Sequence, residues 1–285
     1  MSFKKAGKYL AVDLVLLFKN IAYKVISYLP FPQQKEITII IGCGRSGTTI
    51  LGNSIAKHKN VLYLNEPRYI WSSIYPETDI WSRFSKKRKG VIAPILTTER
   101  KNVRLRRLFW IKRVLSRKKI LVEKLPINTL RKQFLDQVFQ KANYIVIRRN
   151  MEEVINSIQI MDSRERWSGH KDAKKKALVE FAMLSGIDKS KLEHVKDVTE
   201  LSILEWVLCD RAISSDFADK NNCKIISYND LVSSPNEVIS KLFDFAGFPD
   251  DKAALDWAEN NIRRRSKKIY NISKQHQDFR ESLIR

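Results

Sequence analysis

Cysteine is sparse in this chain: Cys43, Cys209 and Cys223 are the only three in 285 residues, and no two form a C-x-x-C pair. An odd, scattered set argues against a disulfide framework and for a reducing compartment. The four histidines lie far apart, so no zinc-ligand spacing appears. Acidic residues number 31 against 53 lysines and arginines, a net charge of +22. Such a surface attracts polyanions, among them nucleic acid, anionic lipid, acidic glycan and charged nucleotide, and charge alone does not choose between them. No uncharged run is long enough to cross a bilayer. The best candidate, residues 9–29 "YLAVDLVLLFKNIAYKVISYL", is interrupted by Asp13, Lys19 and Lys24. No stretch reads as a secretory signal. The expectation is a cytoplasmic protein, touching a membrane at most peripherally.

The chain does carry ample apolar material. At 44% hydrophobic it suffices for one large α/β domain with insertions. Residues 1–32 read as an amphipathic helix and a linker punctuated by Pro30 and Pro32, with lysines 4, 5, 8, 19 and 24 on the helix flanks. That pattern fits either a helix lying on anionic lipid or one packed on the domain. From residue 33 to 285, short β-branched apolar runs alternate with helical patterns. Strands are expected at 36–41, 61–64, 120–122, 144–147 and 224–227. Helices are expected at 48–57, 128–140, 151–160, 201–219 and 236–246, with Asn150 capping the third. The basic segment 80–119 reads as helices and loops, and 162–200 as a polar insertion or lid. The alternation predicts a parallel sheet of about five strands with helices on both faces.

Glycine is scarce, nine in all, and three of the nine punctuate one loop: "IIIGCGRSGTT", residues 39–49. A strand running through glycines into a helix N-terminus is built to hold phosphate. Gly42 and Gly47 have P-loop spacing, but Thr48 stands where the P-loop lysine belongs, and no strand ends in a metal-binding Asp. ATP hydrolysis is a poor fit. Gly42, Gly44 and Gly47 also match G-x-G-x-x-G, with Glu66 near the distance of a ribose-binding acid, so a nicotinamide-dependent oxidoreductase is a rival. A non-catalytic polyanion-binding protein is another. Beyond the glycine loop, Glu66, Lys124, Arg149 and Tyr228 follow four further predicted strands. In parallel sheets ligands sit at that end, so the five groups are expected to line one crevice.

Together "GRSGTT" (44–49), His58, "NEP" (65–67), "EKLP" (123–126), "YIVIRRNMEEVINS" (144–157) and "SYNDLVSSP" (227–235) resemble the PAPS-dependent sulfotransferases, and most closely the bacterial and Golgi-type carbohydrate and tyrosylprotein enzymes. The resemblance covers roughly residues 36–250. It implies a P-loop-like α/β fold and 3′-phosphoadenosine 5′-phosphosulfate (PAPS) as sulfonate donor, with no metal required. It further implies that Gly44, Arg45, Ser46, Gly47, Thr48 and Thr49 hold the 5′-phosphosulfate. Arg149 and Ser157 would share the 3′-phosphate, and Tyr228 would contact the adenine. Lys124 and Arg45 would neutralise charge at the transferred group. The family's cytosolic members place a histidine after the lysine motif. "EKLPINTL" has none, so Glu66 in "NEP" is the expected general base. Pro67 is expected to bias Glu66 toward an extended backbone. Leu125 departs from the Thr or Ser common at that place. The expected acceptor is a hydroxyl of a glycan or glycolipid, which suits the basic segment 83–119 and the insertion 162–200, with a protein tyrosine or other hydroxyl acceptor as the alternative. Trp206 is expected in the core, His58 as a packing or capping group, and Cys43 as a small filler. The basic residues 263–268 are candidates to close over the nucleotide.

Overall fold

The computed structural model describes residues 3–82, 89–163, 171–193, 195–263 and 272–284. Five strands, β1 (Glu36–Ile41), β2 (Val61–Asn65), β3 (Ile120–Lys124), β4 (Lys141–Arg148) and β5 (Cys223–Ser227), form one sheet in the order β2-β3-β1-β4-β5. Every neighbouring pair is parallel. The helices used below are α1 (Phe3–Ile26), α2 (Thr48–Ile55), α3 (Arg68–Ile74), α4 (Glu99–Leu115), α5 (Lys132–Val138), α6 (Met151–Ser163), α7 (Lys171–Leu184), α8 (Val198–Ala212) and α9 (Pro235–Ala246).

The apolar runs form strands because both faces of the sheet are covered. Ile37, Ile39 and Ile41 of β1 face one core layer together with Tyr144 and Val146 of β4. Ile40, Ile145 and Ile147 point into the opposite layer, against α9 residues Ile239, Leu242 and Phe243. A period of two is thus present in the packing but absent from the hydrophobicity pattern.

The register levels the strand ends. Ile40 pairs with Lys124, Asn65 with Lys124, Ile41 with Val146 and Arg148 with Ser227. The residues just beyond those positions therefore emerge along one rim of the sheet. β1 lies in the middle of the row, so the loop that follows it is central on that rim.

Several expectations need correction. The helix expected over 128–140 is a 3₁₀ stretch, Pro126–Leu130, followed by the shorter α5. Pro126 starts the 3₁₀ turn, and Phe139 is already extended, leading into a β4 that begins at Lys141. The helix expected over 201–219 is α8, which starts earlier at a capping box of Asp197 and Glu200, followed by a π turn, Ile213–Phe217. Segment 162–200 is no mere polar insertion: Ala177, Leu178, Ala182, Ile187, Leu192 and Val195 are buried in the main core. Most of the basic cluster 263–268 lies outside the described residues, as do His170 and His194.

α1 rests its last turns on the body. Ser72 of α3 donates to the buried Asn20 at 3.1 Å, Tyr23 meets Tyr69 edge-on, and Arg104 of α4 donates to Ser27 at 3.0 Å. No helix among the described residues is long and apolar enough to cross a membrane.

Candidate active site

The loop between β1 and α2 is shaped by two glycines. Gly42 has φ 149°, and a Cβ there would meet the Ile147 carbonyl at 2.5 Å. Gly47 has φ 100°, and a Cβ there would meet the Tyr228 ring at 2.6 Å. Both positions combine a left-handed backbone with close approach, so both need glycine. Gly47 is also the N-cap of α2 and supplies no side-chain cap. The first-turn amides and dipole of α2 thus face the rim with no side chain of the cap over them. The loop's first amide is differently engaged: Gly42 N–H donates to Thr129 Oγ1 at 2.9 Å. Thr129, buried in the 3₁₀ turn after β3, anchors the loop and was not foreseen.

Lys124, the last residue of β3, is 1% exposed. Its Nζ donates to Glu66 Oε1 at 2.8 Å and to Thr49 Oγ1 at 3.1 Å. One ammonium thus joins the carboxylate after β2 to the first turn of α2. Burial pushes the Glu66 carboxyl up, but Lys124, then Arg68 and Lys174, together hold it below the usual carboxylate value. Arg45, expected to share in this, instead turns toward α6, where its Nε donates to Ser157 Oγ at 3.2 Å.

Glu66 is not extended. It takes φ 52°, and Arg45 takes φ 70°. The Glu66 N–H donates to the Lys124 carbonyl and the Arg68 N–H to the Glu66 carbonyl, both at 2.7 Å. The first bond extends the β2–β3 pairing by one residue and the second closes a tight turn around Pro67, and together they override the bias from Pro67. Non-glycine residues rarely take this conformation, and two of them flank the same crevice.

On the other side, Arg149 is packed from three directions. Its Nη1 donates to the Arg45 carbonyl at 3.0 Å and its Nε pairs with Glu153 at 2.8 Å, while the guanidinium lies 3.8 Å from the Tyr228 ring centre. Trp206 Nε1 donates to the Arg149 carbonyl at 3.0 Å. Trp206 therefore sits at the edge of the core with a polar task that the sequence did not reveal. Arg149 and Ser157 are joined through Arg45, which bonds one by its backbone and the other by its side chain. Asn150 caps α6 as expected, accepting from Glu152 N–H at 2.9 Å. Arg148 faces away, toward Ser214 and Asp210.

His58 is fully buried. Its Nδ1 accepts the Asn60 N–H, which leaves Nε2–H to donate to the Pro249 carbonyl at 2.8 Å. It is a packing residue against Phe243 and Phe248. Cys43 is buried, its thiol held up by the adjacent Cys209 and by burial, which suits a filler rather than a nucleophile. Two further residues were missed by sequence reasoning. Glu205 of α8 comes within 3.5 Å of where a Gly44 Cβ would stand, and pairs with Lys174 of α7 at 2.5 Å. These partners are far apart in sequence and carry no local signature.

The family model described as "Sulfotransferase family" matches residues 38–252. The structure is similar to the sulfotransferase domain of the olefin synthase of Synechococcus PCC 7002, with 15% identity, TM-score 0.50, and coverage of 90% of this chain and 97% of that one. It is also similar to the sulfotransferase STF9 from Mycobacterium avium, with 11% identity, TM-score 0.53, and coverage of 81% and 68%. No curated protein matches the chain. With a glycine loop central on a parallel sheet and a family match over most of its length, the chain belongs to the sulfotransferase family, and it is an enzyme that transfers sulfonate.

Proposed function

We propose that this enzyme moves the sulfonate of PAPS to a hydroxyl of a glycan or glycolipid, releasing adenosine 3′,5′-bisphosphate. It would work in the cytoplasm, in peripheral contact with a membrane through residues 1–29. The observation that carries the reading is the Glu66–Lys124–Thr49 chain, in which a buried ammonium joins a carboxylate to the phosphate-holding helix. Gly44, Arg45, Ser46, Gly47, Thr48 and Thr49 would surround the 5′-phosphosulfate, using α2 amides and hydroxyls. Arg149, with Ser157 held beside it through Arg45, would take the 3′-phosphate, and Tyr228 would lie against the adenine.

The chemistry then balances. The acceptor oxygen forms a bond to sulfur while the bond from sulfur to the bridging phosphate oxygen breaks. Glu66 takes the hydroxyl proton. Lys124 stabilises the negative charge that develops on the departing oxygen, while Arg45, expected to share that part, is engaged with Ser157 on the 3′-phosphate side. A compact ammonium already within hydrogen-bond reach of both Glu66 and α2 can serve base and leaving group together. Membership in the sulfotransferase family sets aside the nicotinamide and the non-catalytic readings.

Glu66→Gln keeps the shape and removes the base. Turnover should fall by about 10²- to 10⁴-fold, while affinity for adenosine 3′,5′-bisphosphate stays near wild type. Because Lys124, Arg68 and Lys174 hold Glu66 below the usual 4.5, it is ionised at neutral pH. The acid limb of kcat/KM should therefore lie below 4.5. Wild-type turnover in the variant would take Glu66 out of the mechanism, and a selective loss of nucleotide affinity would give it a ribose-binding role.

A further inference from the structure

Among the described residues, nothing covers the outer face of the C-terminal half of α1. Leu14, Phe18, Ile21 and Val25 are 42%, 70%, 54% and 65% exposed. Their spacing of four, three and four residues puts them within an arc of about 60° on a helix of 3.6 residues per turn. The stripe runs on past the helix end into Tyr28 and Leu29, also exposed. The opposite side of α1 is the one fastened to α3 and α4 through Asn20, Tyr23 and Ser27. The helix is thus held by one face and presents apolar side chains on the other, the reverse of an ordinary surface helix.

Cations border the stripe. Lys24 is exposed on α1, while Lys19 holds its ammonium over the Tyr69 ring on the fastened side. Beside it, Arg104 stacks on Tyr28 at 3.8 Å, and Arg107 reaches the Phe31 carbonyl at 3.1 Å. An apolar ridge rimmed by basic groups, on a molecule of charge +22, matches the acyl boundary of a bilayer bearing anionic headgroups.

We propose that the Leu14–Phe18–Ile21–Val25 face of α1 is an interfacial docking surface for anionic lipid bilayers. α1 lies in the membrane plane with these side chains at the headgroup boundary and the basic rim on the headgroups. α1 packs on α3, and α3 begins two residues after Glu66. Docking therefore sets the acceptor side of the crevice close to the lipid surface. That last link rests on the sulfotransferase reading of the site; the docking itself does not.

The test is co-sedimentation of the full chain with phosphatidylcholine vesicles, with and without phosphatidylserine. Binding is expected only with phosphatidylserine and should weaken steeply with salt. Phe18→Ser combined with Ile21→Ser should reduce it at least tenfold, and Lys24→Glu should reduce it severalfold. All these side chains are exposed, so the thermal shift with adenosine 3′,5′-bisphosphate should stay as in wild type. No vesicle binding, or binding untouched by either variant, overturns the proposal. So does a concentration-dependent dimer that the double substitution dissolves, since a second copy would then be what covers the face. Loss of the nucleotide shift in the wild-type chain would count against the sulfotransferase site and leave the docking result standing.

Discussion

Beside Lys124 in the same strand, Glu123 is fully buried, and no cation among the described residues is bonded to it. Trp71 Nε1 donates to its Oε1 at 3.0 Å, and Asn128 Nδ2 approaches both oxygens at 3.4 Å. Burial is the main cause that pushes this carboxyl up to about 8, against smaller opposing effects of Trp71, Asn128 and Lys124. Asn128 Oδ1 has no hydrogen-bond partner among the described residues. Rotating that amide would let a protonated Glu123 donate to it, which satisfies both groups. The consequence for stability has a definite sign. The folded chain keeps this proton up to about pH 8, whereas an unfolded glutamate releases it near 4.5. Stability therefore falls as pH rises through that window. Glu123→Gln should flatten the fall and gain stability above pH 8 on the order of a few kcal/mol. Chemical denaturation at pH 5 and pH 9 measures it, and parallel curves for the two proteins would show that Glu123 is ionised in the native state. None of this was legible in "EKLP", where Glu123 reads as one more strand-end acid.

At the scale of elements, the strands were legible because β-branched apolar runs bounded by glycine and polar residues have few other uses. The missed boundaries have physical causes. β4 begins at Lys141, where polar residues pair with the start of β1 and give no apolar signal. The 3₁₀ turn before α5 ends at Arg131, whose side chain is 2% exposed. Its guanidinium donates to the carbonyls of Ile92 at 2.9 Å, Thr78 at 2.9 Å and Val91 at 2.8 Å. One side chain thus fastens two stretches of the 78–92 segment to the turn that also carries Thr129, and no local pattern announces such a bond. Arg131→Met removes all three of these hydrogen bonds at once. It should cost about 3 kcal/mol or more, read as a lower denaturant midpoint. An unchanged midpoint would mean that water replaces the guanidinium. The core role of α7 was hidden in the same way, because its lysines mask the apolar positions that pack inward.

For the whole molecule, the rim of the sheet was read correctly from five separated motifs, since a parallel sheet carries each strand end to the same side. The contacts that tie those motifs together were not legible: Arg45 to Ser157, Arg149 to the Arg45 carbonyl, and Lys124 to Glu66 and Thr49 all cross long stretches of chain. The strand order has one more outcome. Glu66 and Lys124 stand over β2 and β3, while Arg149 and Tyr228 stand over β4 and β5, with the glycine loop between them at β1. Under the proposed function, donor and acceptor take different halves of one row and do not compete for the same floor. Both would then be aboard at once, and the sulfonate would need no intermediate halt on the protein. Initial-rate plots at several acceptor concentrations should intersect, as a ternary complex requires, and parallel lines would reveal a sulfonated enzyme that this layout has no reason to form.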